Sequence, residues 1–163
     1  MRTGLISQEE LFGLRYLADE AEHLERKAKS YIQLMAGDFD GENSIGGLPK
    51  FKVTEEPSGR ILGRLNSQFG EGRFILEFKA QDKTAKGYLV VEKHIFDKTD
   101  ASTWVPVMHI PLPNPVWEVD GQPVRPNDKV YMLAASVLYA VINGTPEEQP
   151  VQNPLKAYPA GAI

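Results

Sequence analysis

Cysteine does not occur in this chain of 163 residues. Its absence excludes disulfides, thiolate metal sites and a cysteine nucleophile together. Histidine is scarce, with three residues, so imidazole ligand sets for a metal are few. A long apolar run is missing as well. No stretch approaches the ~20 residues a membrane helix needs, and no membrane partner is expected. The opening residues Met1-Arg2-Thr3-Gly4-Leu5-Ile6-Ser7 lack the apolar centre of a secretory signal. A reducing, cytoplasmic location is the expectation. Charge of one sign is not in excess either: the formal net charge of −4 argues against a strongly basic nucleic-acid binder as a whole.

What is present suits a globular domain. Hydrophobic residues make up 42% and charged residues 25%. A chain of this length buries roughly 70% of its unfolded surface, so it needs no covalent staples. The charge is unevenly placed. Residues 1–49 sum to −4, residues 50–98 to +3 and residues 99–163 to −3. Such asymmetry can mark an interaction surface.

The first helix announces itself. Ser7-Gln8-Glu9-Glu10 is a capping box, in which the Ser7 hydroxyl accepts from the Glu10 N–H and Glu10 reaches back. Ile6 and Leu11 stand at hydrophobic-staple positions. The helix is expected to run to about residue 36, with Gly37 as a left-handed stop. Leu14, Leu17, Ala21, Leu24, Ala28, Tyr31 and Met35 keep a seven-residue repeat along it. That strict repeat suits a seam against another helix. Leu11, Phe12, Ile32 and Leu34 widen the stripe and suit a helix lying on its own sheet.

A glycine-rich loop over 37–49 separates this helix from a run of strands. They are expected at 50–55, 60–66, 73–80, 87–96 and 103–110, joined by short turns, which predicts an antiparallel meander. Pro106 demotes the last strand to an edge or a bulge. Val116 to Val124 reads as a small hairpin on Asp120-Gly121. A second helix begins near Asn127 or Asp128 and ends at Asn143-Gly144. It is apolar nearly all round and therefore buried. The fold class is α+β: an antiparallel sheet of about five strands against a long N-terminal helix and a buried C-terminal helix. Residues 1–144 form a single domain on this reading. Residues 145–163, punctuated by Pro146, Pro150, Pro154 and Pro159, form an extended tail.

Motif chemistry is thin. Gly41 to Gly46 has the glycine spacing of a phosphate-binding loop, but Gly47 and Leu48 stand where lysine and Ser/Thr belong. Asp38, Asp40 and Glu42 lack the glycine and glutamate that complete a calcium loop. His94, His109 and Glu92 sit on neighbouring strands, yet nothing in the sequence sets their register into a metal site. His23 lies on the polar side of the first helix. No catalytic residue, metal site or cofactor is assigned.

Two contact surfaces remain. The helix stripe Leu14, Leu17, Ala21, Leu24, Ala28 and Tyr31 suits a protein partner or a second copy of the chain. In a second copy running antiparallel, residues 19–22 meet the basic cluster Arg26, Lys27 and Lys29. Period-two reading of the strands puts Phe51, Val53, Ile61, Leu65, Phe74, Leu76 and Phe78 on one face. The other face then receives Lys50, Lys52, Arg60, Arg64, Arg73 and Lys79, along with Leu62 and Ile75. Six basic groups can hold phosphates, but the phenylalanines needed for stacking on single strands take the core parity. The leading function is therefore a non-enzymatic protein-binding module: a small adaptor, inhibitor or chaperone-like protein. The alternatives are a nucleic-acid or acidic-ligand binder, and a small-ligand receptor or enzyme. The last would have a pocket between sheet and helices lined by Tyr88, His94, Trp104 and His109.

Overall fold

The structure, a computed structural model, describes residues 3–38, 48–81, 84–125 and 130–145. Most of the glycine-rich loop, the expected start of the second helix and the proline-punctuated tail lie outside these residues.

The capping box forms as its spacing requires. The Ser7 N–H donates to Glu10 Oε1 at 3.0 Å, and the Glu10 N–H donates to Ser7 Oγ at 3.1 Å. It opens helix α1, Gln8–Asp38. Gly37 does not stop the helix in a left-handed conformation; it belongs to the last helical turn. At 1.5 Å per residue, its 31 residues reach about 46 Å.

Five strands follow: β1 (Phe51–Ser58), β2 (Ile61–Ser67), β3 (Gly70–Gln81), β4 (Thr84–Phe96) and β5 (Ser102–Leu112). They pair in chain order as an antiparallel meander. The strands run longer than the turn residues suggest. Glu56 and Pro57 remain inside β1, and the turn falls on Gly59, at a φ of 61° that costs glycine nothing. Strands β6 (Trp117–Val119) and β7 (Gln122–Val124) form a separate hairpin. Its two-residue loop is Asp120-Gly121, with φ of 51° and 77°. Two positive φ values are what a type I′ turn needs. Helix α2, Val130–Asn143, closes the described chain.

Two bulges decide which side chains face the helices. Between Ile61 and Gly63 the β2–β3 register slips by one residue, with Leu62 as the extra residue. A one-residue slip flips alternation. Leu62 therefore joins the main core, and Ile61 turns to the opposite face with Ile75, Tyr88 and Val90. This reverses the expectation for both residues. The second bulge lies between Val91 and Glu92, opposite Val107 and beside Pro106. Pro106 thus sits both on an edge strand and at a bulge, where its missing N–H is tolerated.

Both helices cover one face of the sheet. Ala28, Tyr31, Ile32 and Met35 of α1 and Leu133, Val137 and Val141 of α2 are buried against Leu65, Phe74, Leu89, Val91 and Met108. Close approach requires small residues beneath the helices. A Cβ on Gly87 would lie 3.0 Å from Leu24 Cδ1, and one on Gly72 would lie 2.6 Å from Val141 Cγ2. Helix α1 crosses at a slant. Near its middle, Glu20 accepts from the Ala85 N–H at 2.7 Å, and Tyr31 donates its hydroxyl to the Pro113 carbonyl at 2.8 Å. Toward its end, Ile32 stands over Gly63, and Gln33 reaches Glu55. Helix α2 is buried along most of its surface, but Tyr131 and Tyr139 face outward.

Candidate functional site

The slant of α1 divides its stripe in two. Leu24, Ala28, Tyr31 and Met35 are buried in the chain's own core. Leu14 is exposed, and Leu17 and Ala21 are half-buried. Every apolar residue that faces outward nearby comes from the same end: Leu5 at 97% exposure, Phe12 at 62%, Tyr16 at 55%, Leu14 at 54% and Ile6 at 46%. Phe12 does not widen the core stripe, as the sequence suggested; Ile32 does, fully buried. The cause is geometric. The core face of the sheet ends beneath the middle of α1, where Leu24 meets Gly87, so the helix overhangs it. The overhang is also acidic. Between residues 3 and 25 there are six carboxylates and one arginine.

Beside the overhang lies an open cavity of about 490 Å³ whose lining includes Glu25 of α1, Arg60, and Leu62, Leu76, Glu77 and Phe78. Phe78 was expected in the core, yet it is exposed. Its parity is right, but among the described residues no helix covers the corner of the sheet where it stands. Arg60 pairs with Glu77 at 3.7 Å, and Glu25 with Lys29 at 3.6 Å.

The sheet face away from the helices carries the second set of expected residues. Two of its arginines are matched with glutamates, Arg64 Nε with Glu56 at 3.0 Å and Arg73 Nε with Glu92 at 2.7 Å. Arg60, expected on this face, lines the cavity beside α1 instead, because the slip at Leu62 shifts its parity. Lys50, Lys52 and Lys79 are exposed, with Lys79 Nζ 5.7 Å from the Tyr88 ring centroid. Trp104 reaches from the edge strand β5 into this group. Its ring stacks on His94 at 4.4 Å with planes 9° apart, and the Arg73 guanidinium lies 4.4 Å from its centroid. His94 Nδ1 meets Glu71 at 3.2 Å. Tyr88, His94, Trp104 and His109 do share a face, but it is this one rather than a pocket under the helices. They divide into two pairs, Tyr88 edge-on to His109 and His94 on Trp104. His94 pairs with Trp104 and His109 with Val90, so the two histidines stand four positions apart along β4. Among the described residues no group of three or more His, Asp or Glu side chains is placed to hold a metal ion.

Sequence reasoning missed Leu5, Ile6 and Tyr16 as a surface, and missed the cavity altogether. A signal for the first was available. Phe12 and Tyr16 are four residues apart and lie off the seven-residue repeat, so they share a face the core does not use. Nothing local announced the cavity, because it depends on the angle at which α1 crosses the strands.

Compared with protein families, curated proteins and solved structures, the chain matches none. No helix among the described residues is long and apolar enough to cross a membrane.

Proposed function

We propose that the protein is a non-enzymatic binding module that engages a protein partner through the overhanging half of α1. The observation that carries this reading is the run of Leu5, Ile6, Phe12, Leu14 and Tyr16, each at least 46% exposed within twelve residues of one another. Phe12 and Tyr16 lie on one side of this helix end and Leu14 on another, so exposed apolar side chains ring it. Apolar surface gathered at one end in this way marks an interaction site. Aromatic residues are the favoured anchors of such contacts.

A different protein suits this surface better than a second copy. Antiparallel pairing along the full repeat would have to use Ala28 and Tyr31, which are 0% and 2% exposed in the chain's own core. Pairing confined to the overhang would set acidic residues against acidic residues. Like charges across an interface disfavour association.

The test is affinity purification from the native cell, comparing the parent with the double variant Phe12→Glu and Leu14→Glu. Both positions are exposed, so the variant folds. A protein that copurifies stoichiometrically with the parent and is lost from the variant supports the reading. Light scattering on the purified parent accompanies it. A symmetric dimer broken by the same two changes replaces the foreign partner with a second copy. A monomer that retains nothing from the cell defeats the proposal.

A further inference from the structure

Helix α2 carries no charged residue in its fourteen positions. A helix apolar nearly all round is expected to be buried on every side. The fold buries only part of it. Leu133, Val137 and Val141 enter the core, and Ser136 is buried with its hydroxyl donating to the Met132 carbonyl at 2.6 Å. Tyr131 and Tyr139 remain 43% and 47% exposed, Asn143 is exposed, and Ala135 and Ile142 are half-buried. Tyr131, Ala135, Tyr139 and Asn143 step by four and so share one side of the helix. That side is about 18 Å long at the helical rise. The outward side of α1 differs, since Arg15, Asp19, Glu22 and Arg26 stand exposed on it.

A solvent-facing helix side without charge has the composition of the centre of a protein contact. Charged residues are depleted there, and tyrosine and methionine are enriched. The spacing also names the occupant. Tyr131 and Tyr139 stand four residues either side of Ala135. A second α2 laid antiparallel, with a two-fold axis at Ala135, sets each Tyr131 beside the other copy's Tyr139. Self-complementarity of this kind is the requirement of a symmetric dimer. A small side chain at the centre lets the two helices approach, and no like charges meet. The acidic overhang of α1 fails that last condition, and the outward side of α2 meets it.

We infer that the chain forms a two-fold dimer through α2, with Tyr131, Ala135 and Tyr139 at its centre. The seam is short beside a standard interface, which buries about 800 Å² on each partner, so the dimer depends on concentration. It uses no residue of the exposed end of α1. Each dimer therefore carries two such ends, and a partner presenting its site twice gains by engaging both. The inference stands apart from the protein-binding reading, because it rests on another surface.

Sedimentation of the full chain from micromolar to millimolar concentration reads the oligomeric state. A shift from monomer toward dimer across that range is expected. Tyr131→Lys with Tyr139→Lys, both at exposed positions, should weaken association about tenfold or more, as loss of two aromatic anchors does. Phe12→Glu with Leu14→Glu should leave association unchanged. A second measurement decides the matter even where the lysine variant fails to fold. Because the chain has no cysteine, Ala135→Cys places a single thiol on each copy. Across a two-fold axis at that position the thiols come within reach of a disulfide, whose Cα atoms stand about 4.4–6.8 Å apart. Mild oxidation should link Ala135→Cys into covalent dimers, while Asp19→Cys on the outward side of α1 should link far less. A parent that stays monomeric at millimolar concentration overturns the inference, and leaves the tyrosines to another part of the chain or to a different protein. So does a dimer broken by Phe12→Glu with Leu14→Glu, a dimer unmoved by the tyrosine changes, or an Ala135→Cys chain that links no more than Asp19→Cys.

Discussion

Ser7 holds the free end of the longest element in the molecule. Its hydroxyl accepts from the Glu10 N–H, and Glu10 returns the bond. Ser7→Ala removes one acceptor and almost no packing, so it should destabilise the domain by about 1 kcal/mol in a thermal or urea melt. Asp97 does similar work in the turn between β4 and β5. Its Oδ1 accepts from the Thr99 hydroxyl, the Thr99 N–H and the Ala101 N–H. These bonds, the Thr99 hydroxyl first, hold the carboxyl below its ordinary value of 3.8. A carboxylate lowered in the folded state contributes stability above its unfolded value and loses it as pH falls through the folded one. The turn is therefore expected to keep its structure to pH values below that ordinary range and then loosen. Carbon NMR titration of the Asp97 carboxyl in the parent and in Thr99→Ala checks it: removing the hydroxyl should bring its midpoint back up.

At the scale of elements, α1 is one helix with two duties. Leu24 and Leu14 both lie on its apolar repeat, and the sequence treats them alike. The fold separates them, because Leu24 is 5% exposed over Gly87 and Leu14 is 54% exposed beyond the sheet. Leu24→Ala should cost about 2–5 kcal/mol, the usual range for a buried leucine. Leu14→Ala should fall within about 0.5 kcal/mol of the parent, as surface changes do. Paired urea melts decide it. Equal losses at the two positions would mean that the overhang is covered by the chain itself. The seam repeat, capping box, meander and type I′ hairpin could all be read from spacing and turn chemistry. The cavity could not, since Phe78 carries no local sign of how far a helix will cover it.

For the whole molecule the question is where its charge acts. The middle of the chain is basic in sequence, yet Arg64 and Arg73 on the outer sheet face each meet a glutamate, as Arg60 does beside α1, and Arg73 is also drawn to Trp104. Phosphate binding would have to break those pairs. Binding of a polyanion through many released counterions is steepest at low salt. The expected result is that neither labelled DNA nor RNA is retarded by the protein at about 50 mM salt. A clear shift at that salt, lost in Arg64→Glu with Arg73→Glu, would instead make this face the binding surface.

The sequence by itself determined the element types and their order. Those follow from contacts between residues close along the chain: caps, turns and alternation. It also determined that most strand positions split into an apolar and a polar set. Tertiary structure decided the rest. A one-residue slip sent Leu62 inward and Ile61 outward, which no local pattern encodes because a bulge is a property of two strands together. The pairing of Arg64 and Arg73 with their glutamates came from the strand register, and the overhang and cavity from the angle of α1 across the sheet. That angle is set by where glycines such as Gly87 let the helix approach and by what side chains distant in sequence leave open.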